Sequence, residues 1–333
     1  MALDPQQRSR LHEAKLRSLA RSQFDVELVE SSGSESGAFG WSADRCFALI
    51  EGRPDTSLGR ALGMARRRDS QRLDVLCQVG AGSVALRASL LDRPVWVWAV
   101  DGTAVNPANA APVDVGAEPA PEALSLIPAI EAAGARPFVE HGVVLAEVRG
   151  LEVGRVEVDE FGPRLVVGVS VDDRMMNEII HSNEPAEVTL ARVVDLVEPY
   201  RLAGADPHPF NRLSRERLLR QVIMDDPSSV GFQWVSPAQP PSPRPNLADP
   251  CPAVALAGDG DEVGAVVVAS VGVDLELVPF AAHARHLLAP SAELLVVVPE
   301  RDAVSFTAEL VGGVVGGARL VTVGNDWFAA AGL

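Results

Sequence analysis

The stretch AEVRGLEVGRVEVDE, residues 146–160, sets the phase of the β-structure around it. Counting by twos places Ala146, Val148, Gly150, Gly154, Val156 and Val158 on one face. Glu147, Arg149, Arg155, Glu157 and Asp159 fall on the other, together with Leu151 and Val153. In strict alternation Glu152 then points inward, as a catalytic carboxylate would. Bulges at Gly150 and Gly154 give a second phase, in which Ala146, Val148, Leu151, Val153, Val156 and Val158 share the apolar side. Glu152 then points out with Glu147 and Glu157. The second phase buries two more large apolar side chains and leaves no unpaired charge inside, so it is the expected one.

Working outward, the chain alternates helical and strand periods and reads as α/β. A first helix is expected over residues 5–22. Strands follow at FDVELVE (24–30), AFGW (38–41), CFALIEG (46–52), LDVLCQV (73–79) and PVWVWAV (94–100), with SSGSESG (31–37) as a turn. Helices at 57–68 and 82–92 complete an α-β-β-β-α-β-α-β unit, the N-terminal domain at 1–105. NPANAAPVDVGAEPAPEA marks a linker at 106–120.

The C-terminal domain, 121–333, opens with a helix over 121–135 that Pro128 breaks. The strand at 146–160 and PRLVVGVSV (163–171) come next. Residues 172–263 read as an insertion of helices, with Ser214 as an N-cap, and a proline-rich segment, SPAQPPSPRPNLADPCP (236–252). Strands at 265–272, 294–300 and 318–323 alternate with helices at 274–288 and 302–311. Without the insertion, the order is again α-β-β-β-α-β-α-β, as a duplication would give.

The 333 residues carry a net charge of −16, unevenly spread. Residues 1–110 hold 14 Arg/Lys against 13 Asp/Glu, and residues 111–333 hold 15 against 32. The acidic part repels phosphate backbones, so a protein partner or small ligand is expected over nucleic acid. Arg60, Arg66, Arg67, Arg68 and Arg72 read as a solvated helix face and C-terminus. Lys15 is the single lysine, which excludes lysine chemistry beyond the first helix. Three cysteines without a C-x-x-C pair imply neither a disulfide framework nor a zinc ribbon, and suit the cytoplasm. Charges or Gly/Pro interrupt every apolar run before it reaches membrane-spanning length.

GLEVGRV, PHPFNRL, PRPNL, SVGVDLELVPFAAHAR and VVVPERD resemble an uncharacterised family of actinobacterial proteins, from about residue 140 onward. A looser match runs through FALIEG and SLGRALGMARRR. That resemblance brings no activity with it. At fold level the α-β-β-β-α-β order is similar to restriction-endonuclease-like, PD-(D/E)xK nucleases. The similarity implies an Asp and a Glu holding Mg²⁺ through hard oxygen ligands, with a nearby cation to activate water. In the first unit Asp44 precedes a strand and Glu51-Gly52-Arg53 ends it, a D…E-x-R arrangement. Arginine supplies the charge but is a poor proton-transfer group. The equivalent strand of the second unit, Val266–Ser270, offers no acid, so the nuclease-like core reads as degenerate. Asp44, Glu51, Arg53 and Glu152 are the candidate catalytic residues, and no cofactor is expected unless Mg²⁺ occupies that site.

A second candidate lies at the C-terminal edge of the parallel strands, where ligands bind in open α/β sheets. Asp274, Glu300, Arg301 and Asp302 follow those strands and form a candidate ligand site. Asp274 and Asp302 equally suit helix caps. His283 and His286 have metal-ligand spacing, but the apolar positions of their helix turn His286 to solvent. His208 suits a turn hydrogen bond. No G-x-S-x-G elbow, P-loop or dinucleotide fingerprint occurs, and GGVVGGARL is a connector. The expected function is recognition or assembly by a weakly catalytic or non-catalytic nuclease-like protein. A small polar ligand-binding enzyme or sensor, and an interaction scaffold, are the alternatives.

Overall fold

The computed structural model describes residues 4–53, 57–111, 118–180, 184–244, 246 and 249–328. Residues 112–117 of the expected linker, and parts of the proline segment, lie outside these. The chain forms two compact units. The first combines residues 1–113, 274–287 and 304–319, and the second 114–273, 288–303 and 320–333. The expected division at 106–120 thus falls near the first crossing, and the chain returns to the first unit twice more.

In the first unit, α1 (Pro5–Phe24) starts with a capping box, in which Gln7 N donates to Asp4 Oδ1 at 2.7 Å and Asp4 N to Gln7 Oε1 at 3.2 Å. It ends at Asp25, in the left-handed region. The strand expected at 24–30 is therefore displaced. β1 is Glu30–Ser34, within the presumed turn, and pairs with β2 (Gly37–Trp41). Weak strand formers hold this place because α1 lies against them: a Cβ on Gly33 would fall 1.9 Å from Ser9 O.

β3 (Arg45–Ile50), α2 (Leu58–Arg67), β4 (Arg72–Cys77), α3 (Ala81–Ser89) and β5 (Val95–Asp101) follow, with parallel β3–β4–β5. β6 (Ala104–Pro107) adds an antiparallel edge that runs into the start of the expected linker. The six strands lie in chain order. Leu16, Leu19, Phe47, Leu49 and Leu76 fill the core between α1 and the sheet.

The second unit holds two sheets. Short helices α4 (Pro121–Leu124) and α5 (Ile127–Ala132) replace the broken helix, and β7 (Arg136–Glu140) follows. The opening stretch is a hairpin, β8 (Val143–Val148) and β9 (Leu151–Asp159), rather than one strand. Arg149 and Gly150 turn it with φ of 46° and 80°. Two successive left-handed residues match the twist of a two-residue hairpin, a place usually given to Asn-Gly. With β10 (Gly162–Val167) the strands form an antiparallel sheet in the order β10-β9-β8-β7.

A single bulge leaves Val153 unpaired beside Gly154, opposite Ala146/Glu147, while Gly150 belongs to the turn and not to a second bulge. It puts Ala146, Val148, Leu151, Val153 and Val156 on one face, in a core with Leu190 and Val194 of α7 (Ala186–Val197). Val158 is exposed.

Beyond α6 (Val171–Ile180), α7 and α8 (Pro209–Arg212) comes α9 (Arg215–Asp225). It heads a sheet of β11 (Trp234–Ala238), β12 (Ala253–Asp259), β13 (Glu262–Ala269), β14 (Glu293–Pro299) and β15 (Arg319–Val323), again in chain order. α10 (Leu277–Leu288) and α11 (Ser305–Gly312) connect the last three strands. The repeated α-β-β-β-α-β-α-β order is therefore present, but its second copy spans residues 215–323. β11 and β12, inside the presumed insertion, are its first two strands. The proline segment concealed them, since Pro237 sits in β11 at the sheet edge.

A Cβ on Gly150 would lie 2.5 Å from Arg217 O, whereas nothing lies within 4 Å of the corresponding position on Gly260, which also has positive φ. Gly260→Ala should cost about 1 kcal/mol for left-handed strain alone. Gly150→Ala should cost clearly more, about 3 kcal/mol or above, because the helix backbone must also move. Urea midpoints of the two variants check the difference.

Candidate functional site

Near the β8–β9 hairpin, the face of the β7–β10 sheet opposite its core is covered. Glu147 and Glu152 stand directly opposite each other on β8 and β9, and both are buried, at 2 % and 5 % exposure. The expectation that they point away from the core holds, but that they reach solvent does not: other parts of the unit cover this end of the face, while the side chains of Glu157 and Arg164 farther along it are exposed. Like charges opposed across a ladder repel, so each carboxylate needs its own cations.

Glu147 receives Arg217 Nη1 at 2.6 Å and Arg220 Nη2 at 2.9 Å, both from α9. Arg217 Nη2 also donates to both oxygens of Glu140, at 2.8 and 2.6 Å. Burial alone would raise the Glu147 carboxyl, but Arg220 and Arg217 outweigh it and hold it below its ordinary range. Burial likewise opposes the charge of Arg217, which Glu147 and Glu140 more than restore.

Glu152 is held differently. Its Oε1 accepts from Arg155 Nε at 2.7 Å and from Arg174 Nη1 at 3.1 Å, and its Oε2 makes no hydrogen bond among the described residues. Arg174 stands in the first turns of α6. Ser170 and Asp173 cap that helix reciprocally: Ser170 N donates to Asp173 Oδ2 and Asp173 N to Ser170 Oγ, each at 3.0 Å.

Between these groups lies a cavity of about 810 Å³. Arg155, Arg174, Arg217 and Arg244 line it against Glu140, Glu152 and Asp249, and Val143, Leu145, Val169, Leu213 and Pro243 supply apolar wall. Arg244 is fastened to Ser214 Oγ at 2.7 Å and to Asn246 O at 2.6 Å. The Ser214 hydroxyl accepts this bond and does not cap α9.

Behind the site Arg201, fully buried, donates to the carbonyls of Phe210, Leu213 and Arg149 at 2.7–2.9 Å. Burial lowers its pKa to about 9. Arg149 Nε returns a bond to Arg201 O at 2.7 Å. His208 takes the expected turn bond, accepting from Phe210 N at 3.3 Å, and stacks on Tyr200.

The other sequence candidates do not share this place. Asp44 and Glu51 stand at opposite ends of β3, roughly 20 Å apart along an extended strand, so one Mg²⁺ cannot touch both. Asp44 is exposed, and Glu51 Oε1 accepts from Lys15 Nζ at 2.6 Å. Arg53 is exposed, its carbonyl bonded by Ser57 Oγ. No group of three or more His, Cys, Asp or Glu suited to a metal occurs among the described residues.

Asp274 belongs to the first unit and Glu300, Arg301 and Asp302 to the second. Asp274 Oδ1 accepts from Glu276 N at 2.9 Å, and Asp302 Oδ2 from Gly272 N at 2.8 Å. Arg301 N donates to Asn325 Oδ1 at 2.9 Å, and Glu300 is exposed. All four therefore serve turns or face water. His286 is exposed as expected, while His283 is buried and accepts from Arg87 Nε at 3.2 Å.

Sequence reasoning missed Arg155, Arg174, Arg217 and Arg244. The available signal was the i, i+3 pair Arg217/Arg220 beside Leu219 and Ile223, which a second buried face would explain. It also missed Glu276, whose Oε1 caps α2 by accepting from Gly59 N at 2.6 Å and Arg60 N at 3.2 Å. The chain matches no protein-family model, no curated protein and no solved structure. No helix among the described residues is long and apolar enough to cross a membrane.

Two variants test these electrostatics. Glu147→Ala leaves Arg217 and Arg220 buried without their shared carboxylate and should cost about 3–5 kcal/mol by urea denaturation. Glu276 behaves oppositely. Burial lifts its pKa from 4.5 to about 8, against the opposing pull of Arg87 and the α2 amides, while Asp274 adds to the rise. His283 stands beyond Arg87. A carboxyl raised on folding stabilises least when ionised, so its cost is absent below about pH 4.5, grows as pH rises and is complete above about 8. Glu276→Gln keeps an oxygen for both amides, and its Tm should overtake the wild-type value progressively across that window.

Proposed function

We propose that the protein binds a small organic anion in the second unit's pocket, as a sensor or as the substrate site of an enzyme. One observation carries this reading. Four arginines and three carboxylates line one half-open pocket, inside a chain of net charge −16. Guanidiniums gathered in an otherwise acidic protein attract anions that the rest of the surface repels. The volume lies in the range of small-molecule sites, and a mostly apolar wall with a few converging polar groups is their usual construction. The three free cysteines agree with a cytoplasmic setting.

Recognition or assembly on a nuclease-like scaffold is a second reading. The repeated element order and matching strand orders favour it. The separation of Asp44 from Glu51 speaks against metal-dependent cleavage there.

Thermal shift against a panel of organic anions tests the first reading. A stabilising anion should raise Tm in the wild type, by mass action on the folded state, and lose most of that effect in Arg174→Ala. Equal shifts in both proteins would place binding outside the pocket.

A further inference from the structure

Resting on that reading of the pocket, we infer that its ligand is an α-amino acid with an apolar side chain, whose carboxylate binds Arg174 and whose ammonium binds Glu152. The guanidiniums around the cavity reach it already matched by carboxylates. Arg217 and Arg220 face Glu140 and Glu147, and Arg244 lies 4.0 Å from Glu216. Arg155 and Arg174 share the lining with Glu152 and Asp249. A carboxylate entering alone adds a charge that these groups do not offset, in a space partly withdrawn from water. One that brings its own ammonium adds none.

The place for the ammonium follows from the contrast between Glu147 and Glu152, which stand opposite each other on β8 and β9. Glu147 receives one guanidinium on each oxygen. Glu152 receives both of its guanidiniums on Oε1, and Oε2 accepts no hydrogen bond among the described residues. Yet Glu152 is 5 % exposed and lines the cavity. A carboxylate oxygen so withdrawn from water calls for a donor, and a cationic donor also relieves the repulsion across the ladder.

Arg174 supplies the other end. It meets Glu152 Oε1 through Nη1 at 3.1 Å, and its Nε and Nη2 make no other hydrogen bond among the described residues. That edge of a guanidinium matches the two oxygens of a carboxylate. The bare oxygen and the bare edge belong to partners already in contact. The ligand's two charges must therefore stand close together, as they do on one α-carbon. Val143, Leu145, Val169 and Leu213 belong to the same lining and offer no hydrogen-bonding side chain, which suits an apolar substituent.

Calorimetry on the full chain near neutral pH with L-phenylalanine, L-leucine, hydrocinnamate and phenethylamine tests the inference. Hydrocinnamate is phenylalanine without its ammonium, and phenethylamine is phenylalanine without its carboxylate. At least one of the two amino acids should bind one to one, and phenylalanine should exceed each of its analogues by about tenfold or more. Glu152→Gln should weaken the amino acid about tenfold and leave hydrocinnamate unchanged or tighter, because the charge that repels a lone carboxylate is gone. Arg174→Gln should weaken the amino acid and hydrocinnamate together. A folding defect would instead weaken every probe in both variants, so the opposite responses to Glu152→Gln separate recognition from damage.

Hydrocinnamate binding as tightly as phenylalanine, and weakened by Arg174→Gln, overturns the amino acid and leaves the pocket reading intact. Phenethylamine binding as tightly as phenylalanine overturns recognition of the carboxylate. Amino-acid binding unchanged by both variants places it outside the pocket and overturns the inference. If neither amino acid binds while another organic anion raises Tm in the wild type and not in Arg174→Ala, the amino acid alone is overturned. Binding of none of the four probes, with no Tm response to any organic anion, sinks the pocket reading itself.

Discussion

The second unit depends on one buried carboxylate held by two guanidiniums. Glu147 lies on the β7–β10 sheet, and Arg217 and Arg220 project from α9. On another face of the same helix, Leu219 and Ile223 enter the core of the β11–β15 sheet. The helix therefore joins two sheets by different means, apolar packing on one side and charge on the other. Apolar packing tolerates sliding, whereas a carboxylate shared between two guanidiniums fixes register. Burying such ions costs desolvation that their attraction only partly offsets, so what the cluster supplies is a single arrangement more than net stability. The hairpin tip reinforces it, because Gly150 admits the backbone of Arg217 at a distance no other residue allows.

That division explains what could be read from the sequence. Periodicity tells which residues share a face. It correctly grouped Ala146, Val148, Leu151, Val153 and Val156, and it gave the helix and strand order of the first unit. It does not tell what lies across from a face. Glu147, Glu152, Arg217 and Arg220 each occupy the polar side of their element, and an isolated element would show that side to water. They are buried because two polar sides meet, a fact no single segment contains. The misplaced β1 has a related cause: Glu30–Ser34 has little strand propensity and is extended because β2 and α1 hold it there. β12 escaped notice beside a proline run, and the hairpin at Arg149 because arginine is an unusual residue for its turn.

The repeated α-β-β-β-α-β-α-β order is used differently in the two copies. In the first, Glu276 arrives from 217 residues downstream of Gly59 to cap α2. A helix terminus that attracts acceptors is thus filled by the protein's own carboxyl group. In the second, the order begins at α9, and the helix that opens it also supplies Arg217 to the pocket. Element order alone pointed to the strand edges at Asp274 and Glu300. The cavity instead sits where an additional sheet was set against the first helix of the second copy.

Using arginine for the pocket's cations has a chemical consequence of its own. A guanidinium keeps its charge throughout the ordinary pH range, where a histidine or a desolvated lysine would surrender it. Arg217 is pushed further in that direction by Glu147 and Glu140, and Glu147 is held ionised in turn. The wall behind the cavity is therefore locked in its charged form by mutual pairing. Selectivity in such a site comes from the count and direction of fixed charges, and not from a group poised to titrate. The titrating carboxyl, Glu276, belongs to the other unit, where its ionisation bears on the cap of α2 rather than on the pocket. The proposed ligand pocket and the titrating carboxyl thus lie in separate units of the chain.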